Sequence, residues 1–287
     1  MTAELPNLRL KLSNRPENVS LVRDVLAGVA EAVGLDSRGL DNLKAAVTEA
    51  CNNVVLHAYE GEEGPLELDL YASSSAIAIV VRDHGKGFRP RVQSDDEGTS
   101  GIGLRMIRAM VDNVEFRGAG AALGSEGSVG TEVRMTLAAG GVQALEPLQD
   151  DGPEPPAITQ TELATTVAVG IAASRLAHAV LPRLLGVLAA RAEFSTDRIS
   201  DARRFASVLV ARAPESISGG HLNLGIRVQP RDLELRIAPL RTDGARDLMA
   251  DSDVDGHGEL LSRLVGDRQV APAGHSEMLL LRLVDRA

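Results

Sequence analysis

The sequence is poor in aromatic residues and in cysteine. Aromatics make up 2% of its 287 residues, tryptophan is absent, and Cys51 is the single cysteine. One cysteine excludes an internal disulfide framework, and an apolar share of 44% built from so few aromatics requires cores of Leu, Val, Ile and Ala. Because Cys51 falls on the apolar side of a predicted helix, we interpret it as a core residue and not as a nucleophile.

Basic charge is also scarce. The formal net charge is -10, whereas direct contact with nucleic acid or with an anionic membrane requires clustered basic surface. No uncharged stretch reaches membrane-spanning length, and no basic segment with a following apolar run is found after Met1. We therefore expect a cytoplasmic protein with no direct nucleic-acid or membrane contact. The six histidines and one cysteine show no zinc-site spacing.

A composition break divides the chain, which is longer than one ordinary domain requires. Residues 140–157 collect Gly, Asp and Pro, a mixture that favours an extended, unpacked connector. We therefore predict a first domain at 1–139, a linker at 140–157 and a second domain at 158–287.

Hydrophobic periodicity in the first domain alternates between strand and helix patterns. Asn14 is expected to cap the first helix, Pro16 to lie in its first turn and Gly34 to end it. The predicted strands are Leu8–Leu12, Leu66–Leu70, Ile77–Val81, Val114–Phe116 and Thr131–Leu137, and the further helices are Leu40–Ala58 and Gly101–Val111. Helices set against a mostly antiparallel sheet predict an α+β fold, a two-layer α/β sandwich.

A row of polar residues follows the edge of the second predicted helix. Glu49, Asn53 and His57 recur at i, i+4 and i+8, beside a stripe of apolar residues. A carboxylate and an amide one helical turn apart can serve catalysis and a magnesium ion. An isolated row of this kind is more often an ordinary solvated face, so its meaning depends on the rest of the chain.

Two glycine-rich motifs follow that helix. In Asp83-His84-Gly85-Lys86-Gly87 the aspartate ends a buried strand, where it needs a donor such as the amino group of adenine. We expect Gly85 and Gly87 to leave room for the base and to adopt backbone angles that other residues resist. Taken alone, the motif would favour a plain turn.

The second motif, Gly101-Ile102-Gly103-Leu104, begins a predicted helix. Free amides at a helix start favour an anion, so this is where phosphates are expected. Gly130-Thr131 follows, and Thr131 begins the last strand of the domain.

In their order and spacing, these motifs resemble the GHKL ATPase superfamily and, within it, the bacterial anti-sigma-factor serine/threonine kinases. The resemblance extends from about Leu8 to Leu137 and implies the GHKL (Bergerat) fold with an ATP and Mg²⁺ site. It implies Glu49 as general base and Asn53 as the magnesium ligand. For His57, a role in fixing the helix end and a catalytic role remain open. The residues that the resemblance assigns to the nucleotide are Asn53, Asp83, Gly85, Gly87, Gly101, Ile102, Gly103, Leu104 and Thr131.

The same resemblance implies a function. It is phosphoryl transfer from Mg-ATP to a Ser or Thr of a protein antagonist of the anti-anti-sigma type, which regulates transcription through a sigma factor. The alternative is an ATP-regulated protein that sequesters its partner without significant kinase turnover. Members of the family commonly act as dimers, so a homodimer, or a pseudo-dimer formed within one chain, is expected.

The second half repeats the apolar pattern of the first. Overlaying the two halves predicts a degenerate copy of the sandwich without a nucleotide site, with chance similarity of strand patterns as the alternative. The overlay puts Val208 at Glu49, Arg212 at Asn53, Pro239 at Asp83 and Arg241 at Gly85. It also predicts a third helix at Leu260–Val265 and a closing strand at Ser276–Leu283. Asp251–Gly256 resembles half of a calcium loop, but we interpret it as a degenerate lid.

Overall fold

The computed structural model describes residues 5–86, 102–118, 130–148, 160–249, 264–274 and 276–285. Its contacts divide the chain into two compact units. One unit is Lys11–Leu145, and the other combines Met1–Leu10 with Glu146–Ala287. We call them the first and second units and describe each by itself.

The first unit is a sheet with three α-helices. Its elements are β1 (Leu8–Ser13, divided between the units after Leu10), α1 (Pro16–Val33), α2 (Ser37–Asn53), one π-helical turn (Val54–Ala58), β2 (Pro65–Ala72), β3 (Ala76–Asp83), α3 (Ile102–Met110), β4 (Asn113–Gly118) and β5 (Thr131–Ala138). The strands are ordered β4-β5-β3-β2-β1, and the β4–β5, β5–β3 and β3–β2 pairs are antiparallel. Helix α2 packs against α1, α3, β3 and β5. The predicted two-layer α/β sandwich is confirmed.

The ends of α1 and α2 are partly as predicted. Gly34 ends α1 in the left-handed conformation with φ 74°, and Pro16 lies in the first turn. The prediction that Asn14 caps α1 is wrong, because Arg15 occupies the cap position without a side-chain bond. Asn14 instead accepts from the Gly64 amide and donates to a neighbouring carbonyl, which holds the start of the helix against the loop before β2.

The second unit combines helices and strands. They are α4 (Gln160–Leu163), β6 (Thr166–Ala172), α5 (Arg175–Arg191), α6 (Thr196–Ser216), β7 (His221–Gln229), β8 (Asp232–Leu240), α7 (Gly244–Leu248), β9 (Val265–Ala273) and β10 (Ser276–Val284). The strand order is β6-β7-β8-β10-β9, and these neighbours pair antiparallel.

The two units share one order of elements. Among the elements given ranges above, and counting the π turn with α2, the order from β1 and from β6 is strand, two helices, two strands, helix, two strands. The strand orders β1-β2-β3-β5-β4 and β6-β7-β8-β10-β9 correspond position by position. A short helix, α7, follows β8 after three residues. Leu264, within the predicted third helix, is helical. Most of the predicted helix Leu260–Val265 and the calcium-like run Asp251–Gly256 lie outside the described residues.

The beginning of the predicted linker is packed. The amide of Gln143 donates to the carbonyl of Val33 over 2.9 Å, and that of Leu145 to Ala72 over 3.2 Å. Val142, Leu145 and Leu148 are buried. An unpacked connector is therefore wrong for 140–148, because its apolar side chains are covered, and 149–159 lie outside the described residues. In the part of the chain that the structure describes, no helix combines the length and apolarity needed to cross a bilayer.

Candidate nucleotide site

Helix α2 carries the polar row predicted from the sequence. Its apolar stripe is buried, Glu49 at the edge is partly buried, and Asn53 and His57 are exposed. Asn53 is the last residue of α2, whereas His57 lies in the π turn. Because a π turn bonds i to i+5, the regular spacing holds between Glu49 and Asn53 but not on to His57. Single π turns are frequent at functional sites.

Cys51 lies in the core beneath this row. Its side chain is fully buried, and burial raises the pKa of its thiol to about 12. The reactive thiolate is therefore not populated at neutral pH. Its interpretation as a core residue is confirmed.

The carboxylate of Glu49 lies against the first turn of α3. A Cβ added to Gly103 would stand 1.9 Å from Glu49 Oε1 and 2.8 Å from its Cδ. Any side chain at position 103 would therefore displace the Glu49 carboxylate from this position. The structure thus brings together two predicted site residues, one from α2 and one from the start of α3, where helix amides lack intrahelical partners. Leu104 follows and is partly buried. Ile102 begins α3, and Gly101 lies outside the described residues.

Asp83 and Thr131 meet at the ends of β3 and β5. They are paired in the antiparallel register, and Asp83 is only 4% exposed. Asp83 Oδ1 accepts from the Gly85 amide over 2.9 Å, and both the amide and the side chain of Thr131 also donate to Asp83. Burial nevertheless raises the pKa of Asp83 above its usual range. A buried carboxylate with this environment has capacity for a further donor.

Gly85 is explained differently from the sequence argument. Its φ is not positive, and a Cβ at this position would lie 2.1 Å from the carbonyl oxygen of Ala58. The glycine is therefore required because the turn after β3 lies directly on the end of the π turn. It is not required by unusual backbone angles, as we expected. Gly87 lies outside the described residues.

Tyr59 was missed by sequence reasoning. Its hydroxyl accepts from the His84 amide over 2.8 Å and donates to the carbonyl of Pro65 over 2.6 Å. One signal was present in the sequence: the chain has only two tyrosines, and this one directly follows the His57-Ala58 pair.

The site offers oxygen ligands suited to magnesium. Asn53 is exposed one turn from Glu49, and its side chain makes no hydrogen bond to another described residue. Over the described ranges, no group of three or more His, Cys, Asp and Glu side chains is placed to hold a metal. Magnesium does not need such a group, since one or two protein oxygens and the substrate phosphates usually hold it. The residues present fit this ion.

Comparison with known proteins agrees with this geometry. The sequence model of the histidine kinase-like ATPase domain matches residues 12–137. The serine-protein kinase RsbW of Bacillus pumilus is 31% identical over 125 residues, which are 38% of this chain and 77% of that protein. The chain belongs to the RsbW family of histidine kinase-like ATPases. RsbW of Listeria innocua is 31% identical over 122 residues, which cover 78% of it, and RsbW of Bacillus velezensis 29% over 130 residues, which cover 81%.

Membership of the RsbW family implies that the chain binds ATP. The matched segment contains the polar row of α2, the turn after β3 and the start of α3. The three relatives match 38–41% of this chain.

Proposed function

We propose that this RsbW-family protein is an ATP-dependent serine/threonine kinase. It transfers the γ-phosphoryl group of ATP to a Ser or Thr of a protein antagonist of the anti-anti-sigma type, and so controls a sigma factor. The relatives named serine-protein kinases support the acceptor class. The observation that carries the proposal is the close approach of Glu49 to Gly103, which puts a carboxylate beside the start of α3, where the phosphates are expected.

Glu49 acts as the general base. Its carboxylate is partly buried and is held beside the amides at the beginning of α3, where the transferred group is expected. Phosphoryl transfer needs positioning and charge stabilisation more than covalent chemistry, so a carboxylate that orients the acceptor hydroxyl and takes its proton is sufficient.

Asn53 would hold the magnesium ion through its amide oxygen, one turn from the base, and the bound ion would supply positive charge against the phosphates. At the other end of the site, Asp83 accepts from the adenine amino group, and the Thr131 hydroxyl fixes that carboxylate. The acidic adenine end and the helix-start amides therefore lie at opposite ends of the nucleotide, which keeps the carboxylate away from the polyanion.

We also propose that the second unit is a degenerate copy of the first. The shared order of elements and strands supports this, and so does a local likeness. A Cβ on Gly244 would lie 2.3 Å from the carbonyl oxygen of Ser216 at the end of α6, as one on Gly85 would lie 2.1 Å from Ala58 O. The same carbonyls accept from Arg241 and Lys86, each over 3.0 Å. In both units, a glycine and a backbone amide of the turn after the second strand of the hairpin thus lie on the carbonyl that ends the second helix segment.

Protein groups occupy the corresponding region of the second unit. Glu277 accepts from the amides of Asp243 and Ala245, at the beginning of α7, over 3.1 and 3.3 Å. Arg212 donates to the carbonyl of Leu248 at the other end of this short helix over 3.1 Å. A carboxylate of the chain thus takes amides that would otherwise suit an anion, which supports a unit without a nucleotide site.

Labelled ATP tests the kinase. The full chain is incubated with Mg²⁺, ATP labelled at the γ-position and candidate antagonist proteins, and labelled Ser or Thr is identified by mass spectrometry. Transfer to one antagonist is the expected result. A chain that binds ATP yet labels none of them, and releases no phosphate, acts instead as the sequestering protein.

A further inference from the structure

We propose that Tyr59 is a positioning residue for adenine recognition. Its side chain links the end of the helical segment that carries Glu49 to the turn that carries Asp83, the proposed acceptor of the adenine amino group. This inference rests on the proposed role of Asp83. The geometry points to it because the Tyr59 hydroxyl accepts from the backbone amide next to Asp83, a bond that a phenylalanine cannot make.

The turn 83–86 is fastened to the end of the π turn at consecutive residues. The Lys86 amide donates to Ala58 O over 3.0 Å, and Gly85 lies directly on the same carbonyl. Between them and Asp83, the His84 amide donates to the Tyr59 hydroxyl over 2.8 Å. Asp83 is therefore adjacent in sequence to the amide that Tyr59 holds.

The hydroxyl of Tyr59 is fully used by its two partners. The carbonyl of Pro65 can only accept and the amide of His84 can only donate, so the proton of the phenol must point to Pro65. Pro65 begins β2, and the ring lies over Gly64, where a Cβ would stand 2.2 Å from Cε1 of Tyr59. The side chain of Tyr59, which directly follows the π turn, thus contacts both the start of β2 and the turn after β3.

The protonated phenol persists over the working range of the protein. Burial raises the pKa of Tyr59 to about 12, so the proton donated to Pro65 is not lost at neutral or mildly alkaline pH. In Tyr59→Phe, the His84 amide and the Pro65 carbonyl lose their shared partner, while the ring still fills its place. If this loss displaces Asp83 enough to weaken one hydrogen bond to adenine, ATP affinity should fall about tenfold.

The test compares two nucleotides by calorimetry. Purine riboside triphosphate lacks the 6-amino group that Asp83 is proposed to receive, so wild-type protein should prefer ATP. Tyr59→Phe should reduce this preference about tenfold by weakening ATP alone. The matched control is Tyr71→Phe, because Tyr71 is the other tyrosine of the chain and its ring faces Arg134 on the sheet. The control should keep the wild-type preference.

The outcomes separate the two proposals. If Asp83→Asn keeps the preference for ATP over purine riboside triphosphate, the assignment of Asp83 to adenine is wrong. If Asp83→Asn loses this preference while Tyr59→Phe keeps it, the positioning role of Tyr59 is wrong. Equal weakening of both nucleotides by Tyr59→Phe also overturns it, since that is the result of general destabilisation.

Hydrogen exchange keeps the proposal testable if Tyr59→Phe does not fold. In the wild-type protein, the amide of His84 should be protected, because it is bonded to the hydroxyl of Tyr59. Exchange of this amide at the rate of an unprotected residue overturns the proposal without any variant.

Discussion

Replacing the buried carboxylate of Asp83 should separate nucleotide binding from stability. In Asp83→Asn, the new side chain has one acceptor oxygen in place of two. The amides of Gly85 and Thr131 already donate to this side chain, so the oxygen is expected to stay with the turn. The NH₂ group then faces the adenine amino group, and donor meets donor.

The size of the effect follows from the bond that is lost. A hydrogen bond to a charged group contributes about 1.5–3 kcal/mol, and about 1.4 kcal/mol corresponds to a factor of ten. The dissociation constant for ATP should therefore rise by roughly 10- to 150-fold in Asp83→Asn. Isothermal titration calorimetry at pH 7 measures this directly.

The folding stability of Asp83→Asn should not fall together with its affinity for ATP. Because the folded pKa of Asp83 is raised, the folded state holds this proton more tightly than the unfolded state. The contribution of Asp83 to the free energy of unfolding is therefore stabilising below the ordinary aspartate pKa of about 3.9, and it is lost as the pH rises through the pKa of the folded state. At pH 7 the ionised group disfavours folding, so Asp83→Asn should be at least as stable as the wild type by chemical denaturation.

Asp69→Asn is the matched control. Asp69 is also buried, at 3% exposure, but it pairs with Arg82, which lies on the opposite face of β3 from Asp83. This variant should lose stability and keep ATP affinity. Asp83→Asn with wild-type ATP affinity, or with a large loss of stability, would refute the reasoning.

Two further predictions concern the glycine beside the base and the number of sites. Gly103→Ala should push the carboxylate of Glu49 aside and reduce phosphoryl transfer by about 100-fold. The control is Gly140→Ala, which has open space around the added methyl group and should leave the transfer rate unchanged. Equal transfer rates in the two variants would contradict the contact between Glu49 and Gly103. Titration of the full chain with Mg-ATP should give one site per chain. A second site, whose affinity for ATP is unchanged in Asp83→Asn, would contradict the degenerate second unit.

Sequence patterns predicted the elements of the first unit well, because their signals are local. Periodicity marked β2 and β3, and Gly34 marked the end of α1. Long-range contacts left no such signal. Arg15 displaced Asn14 from the cap because Asn14 bonds to the distant Gly64 instead.

The site shows the same division. The residue types were readable as a constellation, and the structure brings Glu49 to Gly103 and Asp83 to Thr131. The reason for Gly85 was not readable, because it depends on how closely the turn lies on the carbonyl of Ala58. The close approach of Gly244 to the carbonyl of Ser216 was likewise not readable, because it depends on how the turn after β8 packs.

The account's central claim, that this chain transfers phosphate with Glu49 as base, is tested most directly by Glu49→Gln. With the acceptor protein found by labelling, ATP affinity and the rate of phosphoryl transfer are measured on the same preparations. The amide keeps the shape of the side chain but cannot take the hydroxyl proton, so transfer should fall by about 100-fold or more while ATP affinity stays within about twofold. Transfer by Glu49→Gln at the wild-type rate would contradict the account.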